Sequence, residues 1–247
     1  TVVRNAVFVK NYKPTDCKIL KVALVGPFLQ GKINYFGLDM IKFVVQKFPN
    51  VEFVFIGPTD KSFRDELQFQ NTTFTGQVNN YVEILRSCSV LLAPYPEYAY
   101  YLGSKTKFIE AAACHMPIIT TPVGNIDFQN DYVCLGKTKE DLVKQMHYLE
   151  DENVRKDLGK NLRDEIEKKY NADIEVKKII KLYKVMKKII SFFLVSYNRL
   201  FKYITNKYYD NILSIDTTFT DRLPDNFNGD SHKLSNISYT ALVEIYD

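Results

Sequence analysis

The sequence offers no obvious metal or disulfide framework. Its four cysteines (Cys17, Cys88, Cys114 and Cys134) are widely separated, form no CxxC pair, and stand apart from three histidines that show no metal-ligand spacing. They read as reduced packing residues of a cytoplasmic protein. Long apolar runs are missing as well. No stretch reaches the roughly 18 uncharged residues that a membrane-spanning helix needs. The opening TVVRNAVFVK lacks the apolar core of a signal peptide. A formal net charge of +4 is too small to indicate a nucleic-acid binder, and no internal repeat is visible. The first residue is Thr rather than Met, so an excised piece of a longer chain is expected.

What is present is a hydrophobic content of 46 %, enough for a sizeable core in 247 residues. Short β-rich apolar runs recur at 21–26, 51–57, 72–76, 89–95, 117–122 and 132–136, and helical patterns separate several of them. The stretch 35–48 carries Leu38, Ile41, Val45 and Phe48 at helical spacing, 80–88 predicts a short amphipathic helix, and the opening stretch predicts another. Strands apolar on both faces imply a parallel sheet covered by helices on each side. From about 138 the pattern is helix after helix. The run from 173 to about 209 sets nine cations against Asp173 and Glu175 around the aromatic and aliphatic IISFFLVSYNRLFKYI. The end, rich in Asn, Asp, Ser and Thr, predicts an irregular tail. The expected organisation is an α/β domain at 1–172, a basic aromatic helical extension at 173–209, and an irregular tail or linker at 210–247.

In a parallel sheet ligands bind beyond the carboxyl ends of the strands, where Gly26, Gly57, Gly76 and the PYPEY segment with Tyr95 fall. Two motifs there suggest an anion. In LGSKTKFIEAAACHMPIITTP (102–122), Ser104 is the expected N-cap of a helix, with Lys107 in its first turn and Glu110 one turn deeper on the same face. Helix N-termini carry partial positive charge, so a lysine placed there calls for a negative partner, and Ser104, the first amides and Lys107 can surround a phosphate. A carboxylate at Glu110 can accept the two hydroxyl hydrogens of a ribose diol. Spacing alone fits an ordinary solvated Lys/Glu pair better. In VGPFLQGKINYFGLD, Gly26 permits close backbone approach and Lys32 can reach a diphosphate, though a surface lysine fits as well. His115, just past the helix, is expected as a C-terminal cap favoured by the dipole. Glu97 reads as an exposed loop carboxylate.

In this order and at these spacings, VALVGPF with Lys32, PNVEFVFIGP, NTTFTGQVNNYVEILRSCSVLLAPY and SKTKFIEAAACHMPIITTPVGN resemble the C-terminal, nucleotide-sugar-binding domain of GT-B glycosyltransferases, especially the large family 4, or group 1. The resemblance covers roughly residues 2–170 and is strongest at 110–117. It implies an α/β fold, a Rossmann-like parallel sheet of about six strands flanked by helices, with a C-terminal helical extension. It implies that Glu110 holds the donor ribose and Lys32 the diphosphate. The chain departs from the family at Pro27, where many members have arginine, and at Leu102, where they have a first glutamate. Lys107 resembles the lysine of a branch in which the lost positive charge is restored at the helix start.

The expected function is transfer of a sugar from a UDP- or GDP-linked donor to a glycan, lipid-linked or protein acceptor. The absence of any Asp-x-Asp triplet points to a metal-independent site and no cofactor. The acceptor domain, N-terminal in such enzymes, is expected outside these residues. Two alternatives stay open: a nucleotide-sugar epimerase of the same architecture, and a non-catalytic nucleotide-binding or membrane-docking module. The expected location is cytoplasmic, with peripheral contact to the inner membrane face through 173–209, or else packing of that stretch on the domain. No nucleic acid is expected as partner.

Overall fold

Because crossovers between parallel strands are right-handed, a chain of alternating strands and helices can wind in only a few ways. The computed structural model describes residues 4–29, 37–97, 106–126 and 128–212, with side chains up to 195 and at 197 in the last stretch. Six strands form one sheet: β1 (Lys21–Val25), β2 (Glu52–Ile56), β3 (Thr72–Gly76), β4 (Val90–Ala93), β5 (Ile118–Thr120) and β6 (Cys134–Leu135). Their order is β3-β2-β1-β4-β5-β6, and every strand pairing is parallel. The helices are α1 (Leu38–Lys47), α2 (Lys61–Leu67), α3 (Tyr81–Arg86), α4 (Thr106–Ala113), α5 (Lys139–Tyr148), α6 (Glu152–Lys169) and α7 (Ala172–Ile212). This is the helix-covered parallel sheet expected from the apolar runs and the Rossmann-like α/β architecture that the resemblance implies.

Alternate strand residues serve two cores. Val22, Leu24, Phe53 and Phe55 face one side, where α1, α2 and α5 bring Ile41, Val44, Phe63 and Leu142. Ala23, Val54 and Ile56 face the other, where α3, α4 and α6 bring Leu85, Phe108 and Leu162. Ala111, Ala112 and Ala113 are fully buried, so the slim side of α4 lies against the sheet, as the alanine run predicted.

Two parts of the sequence reading need correction. The opening stretch forms no α-helix among its described residues, only a 3₁₀ turn at Val9–Asn11. Its backbone is committed elsewhere: Val7 N–H donates to Tyr170 O at 3.0 Å, and Ala172 N–H donates to Val7 O at 2.9 Å. Pro14, which lacks an N–H, bars continuation. Conversely α2, not foreseen, is a short helix whose apolar signal is confined to Phe63 and Leu67.

Helix α4 ends in a paired motif. His115 N–H donates to Ala112 O and Met116 N–H to Ala111 O, both at 3.0 Å, while His115 takes φ 56°. Such a turn usually carries glycine. His115 thus terminates the helix through its backbone. Burial, reinforced by Arg163, pulls its imidazole below the ordinary histidine value, so the neutral ring is favoured and a charged dipole cap is not.

By residue contacts the chain divides into two units, Thr1–Leu182 and Tyr183–Asp247. No helix among the described residues is long and apolar enough to cross a membrane. The expected tail at 210–247 lies almost wholly outside the described residues.

The tightest helix contact makes a prediction opposite to helix propensity. A methyl group on Gly159 of α6 would overlap the backbone carbonyl of His115. Gly159→Ala should therefore destabilise the fold by about 1–3 kcal/mol, although alanine favours an exposed helix by about 1 kcal/mol. Urea unfolding of the two proteins checks the sign.

Candidate functional site

The carboxyl ends of β1, β2 and β3 are tied together just where the strands stop. Gly26 N–H donates to Ile56 O at 2.9 Å, Phe28 N–H to Pro58 O at 2.8 Å, and Asp60 N–H to Phe28 O at 3.0 Å. An isolated bridge links Gly57 to Gly76. Gly57 and Gly76 have φ of 123° and 66°, conformations that side chains resist. Around Gly76 nothing lies within 4 Å of where a side chain would start. At Gly26 that space is taken by the Phe28 ring, 2.5 Å away, which is a packing reason for glycine beside the ligand reason drawn from sequence. Gly37 supplies the N-cap of α1 at φ 55°. A side chain at Gly37 would stand 3.3 Å from Pro94 O, so α1 starts beside the end of β4.

Helix α4 comes to the same edge from the opposite face of the sheet. Lys107 Nζ donates to Val25 O, the last residue of β1, at 2.6 Å. The ammonium also stands 5.6 Å from the centroid of the Tyr95 ring. That ring is buried at 5 % exposure and meets Phe108 edge-on, with centroids 6.0 Å apart. Thr121 holds the Tyr95 backbone by donating its hydroxyl to Tyr95 O at 2.6 Å. Tyr95 therefore supports Lys107 from beneath, while Lys107 fixes a positive charge at the end of the central strand.

One turn on, the half-buried Glu110 is held by two residues that the sequence did not single out. Tyr81 Oη donates to one carboxylate oxygen at 2.9 Å and Tyr12 Oη to the other at 3.3 Å. Tyr81 opens α3, and Tyr12 lies in the opening segment. Arg163 fastens that segment, donating to Tyr12 O at 3.1 Å and to Ala113 O at 2.5 Å. No spacing rule would find these partners, 29 and 98 positions from Glu110. Burial pushes the Glu110 carboxyl above the ordinary carboxylate value, and the tyrosine bonds pull it partway back.

Among the sequence-predicted residues, the structure gathers Gly26, Gly76, Tyr95, Lys107 and Glu110 along one edge of the sheet. Lys32 and Ser104 lie outside the described residues, as does Leu102. Glu97 is exposed. A carboxylate offers about four lone-pair positions, so two tyrosine bonds leave Glu110 able to accept from a diol. Chemically the edge combines a fixed cation with a hydroxyl acceptor one helical turn away.

The Glu110 network makes its own prediction. With a raised folded-state value, the contribution of Glu110 to stability is fullest below its ordinary pKa and declines as pH rises through the raised one. Tyr81→Phe removes the shorter bond. It should shift the Glu110 titration further upward and cost about 1–2 kcal/mol at neutral pH, with Tyr12→Phe smaller. NMR titration of the side-chain carboxyl reads the shift, and an unmoved midpoint contradicts the assignment.

Comparison with known proteins adds the family. The Rossmann-like sheet aligns with Staphylococcus aureus TarM, solved as a point mutant with fondaparinux, alpha-GlcNAc-glycerol and UDP, at TM-score 0.60 and 16 % identity, covering 74 % of this chain and 39 % of that one. It aligns with Anabaena Alr3699/HepE in complex with UDP-glucose at TM-score 0.62 and 13 % identity, covering 75 % and 57 %. The C-terminal domain of the Francisella tularensis group 1 glycosyl transferase LpcC matches at TM-score 0.53 and 17 % identity, covering 67 % of this chain and 99 % of that domain. At these identities the likeness is one of fold. The chain spans only 39 % of TarM and 57 % of HepE, but nearly all of an isolated C-terminal domain. No curated protein matches the sequence. The family model described as "Glycosyl transferases group 1" matches residues 20–152, more than half of the chain, and the protein belongs to that family.

Proposed function

We propose that this chain is the donor-binding half of a glycosyltransferase that takes a UDP- or GDP-linked sugar without a metal ion, its acceptor half lying N-terminal to these residues. The observation that carries the reading is the pairing of Lys107 and Glu110 at the carboxyl edge of the sheet, where α1 and α4 approach β1 and β4 from opposite faces. In this reading Lys107 meets the donor diphosphate together with Lys32 and Ser104, and Glu110 takes the ribose hydroxyls. Tyr95 holds Lys107 in place. Support for the nucleotide comes from fold relatives solved with UDP or UDP-glucose. Support for metal independence comes from the sequence, which meets phosphate charge with lysines and has no Asp-x-Asp triplet. The acceptor in this reading is a glycan or a lipid-linked glycan, and polysaccharide synthesis on the cytoplasmic side is the process it serves.

The chemistry assigned to this chain is that of stabilising the departing nucleoside diphosphate. As the sugar leaves, negative charge grows on the diphosphate, and a cation already held against Val25 O needs no rearrangement to meet it. The Val25 and tyrosine bonds also fit a second reading, in which Lys107 and Glu110 only fasten α4 to β1 and α3.

Calorimetric titration with UDP, GDP and the bare nucleosides, with and without EDTA, separates the two. Lys107→Ala should weaken the nucleotides by about 1.5–3 kcal/mol, the scale of a charge-assisted hydrogen bond, and leave nucleoside binding nearly unchanged. Glu110→Ala should weaken both, and Glu110→Gln isolates the loss of the charged acceptor. If both alanine variants bind like the parent and lose only thermal stability, the fastening role is all they have. Strict dependence on added metal ion would contradict the metal-independent assignment.

A further inference from the structure

Helix α7 presents a surface that the donor site does not use. From Tyr183 onward its apolar side chains are exposed: Tyr183 at 67 %, Met186 at 54 %, Phe193 at 65 % and Tyr197 at 64 %. With Ile190, they recur at the three- and four-residue spacings that place them on one side of a helix. Lys184 and Lys188 fall on the opposite side and Lys187 at the border. In the sequence, nine lysines and arginines and no acidic residue stand between Glu175 and Asp210.

We infer that this helix docks on an anionic lipid surface, lying in the interface plane with its aromatic and aliphatic side inserted and its lysines at the headgroups. Charge decides among occupants. A second copy packed through the apolar side would set Lys187, at its border, near a second cation with no carboxylate between Glu175 and Asp210 to pair it, and would leave Lys184 and Lys188 unmatched on the outside. Moreover, exposed Ile189 and Phe192 widen the apolar side beyond the narrow seam that a two-stranded coil buries. A polyanionic chain would take the lysines and leave the apolar side in water. A bilayer of anionic lipids satisfies both sides at once, through apolar burial and attraction to the headgroups. Length agrees: the uncharged stretch Ile189–Tyr197 is far short of the roughly 20 residues needed to span a bilayer, so it lies along the surface. The inference is independent of the donor-site reading, since it draws on none of the same residues.

Flotation of the full chain with vesicles tests it. Binding to phosphatidylcholine vesicles containing phosphatidylglycerol should be strong, should weaken as salt rises, and should be nearly lost on phosphatidylcholine alone. Replacing Lys184, Lys187 and Lys188 by Gln should lower partitioning by roughly a hundredfold, about fivefold per lysine. These side chains are exposed, so the variant should keep its circular dichroism spectrum and its thermal midpoint. Phe192→Ser with Phe193→Ser should lower partitioning on the same vesicles without changing the salt dependence. Equal binding to neutral and anionic vesicles overturns the inference. So does a triple-Gln variant that binds like the parent, or a chain that sediments as a dimer and floats with no vesicle.

Discussion

The hand of the β-strand crossovers governs this molecule. From β1 the chain moves one way through β2 and β3 with α1 and α2 on one face. It then returns to the other side of β1 and moves through β4 and β5 with α3 and α4 on the opposite face. Right-handed connections require that change of face when the direction of winding reverses. The connections leaving β1 and β4 therefore part, and a crevice opens at their carboxyl ends. Lys107, bonded to the last residue of β1, and Tyr95, just past β4, stand at that parting.

The parting alone would give an opening, and the packing around it turns the opening into chemistry. Helix α4 must lie close for Lys107 to reach Val25 O at 2.6 Å, and three buried alanines allow the approach. The far end of α4 is fixed by the left-handed turn at His115, against which α6 can pack only through Gly159. Arg163 of α6 then ties the opening segment to that same end of α4, which sets Tyr12 beside Glu110. Lys107 and Glu110 are thus each held by contacts within the fold. In the proposed function, such preorganisation lets Lys107 meet developing charge without reorganising.

Much of this was legible in the sequence because it is local. Val22 to Val25 and Phe53 to Ile56 are apolar on both faces, and only a sheet covered on both sides accommodates that. The SKTKFIEAAAC run announces a lysine and a glutamate one turn apart on a slim helix, and the structure sets Lys107 against the last residue of β1 and Glu110 against Tyr81 and Tyr12. What stayed hidden depends on contacts between distant residues. Tyr81 and Tyr12 look like any other tyrosines until α3 and the opening segment are folded against α4. The opening VVRNAVFV carries enough apolar residues to suggest a helix, yet its backbone is claimed by Tyr170 and Ala172, far along the chain. The short α2 went unseen because two buried side chains in seven residues make too weak a period. For α7 the amphipathic spacing was plain, whereas the exposure of its apolar side became visible only with the fold.

The central claim is that the edge formed by β1, β4 and the start of α4 is a nucleotide site. A crystal structure of the chain soaked with UDP tests it most directly. The account predicts diphosphate oxygens hydrogen-bonded to Lys107 Nζ and ribose hydroxyls on the Glu110 carboxylate, with Tyr81 still donating to Glu110. A nucleotide bound elsewhere, or bound at this edge with its ribose turned away from Glu110, would contradict it.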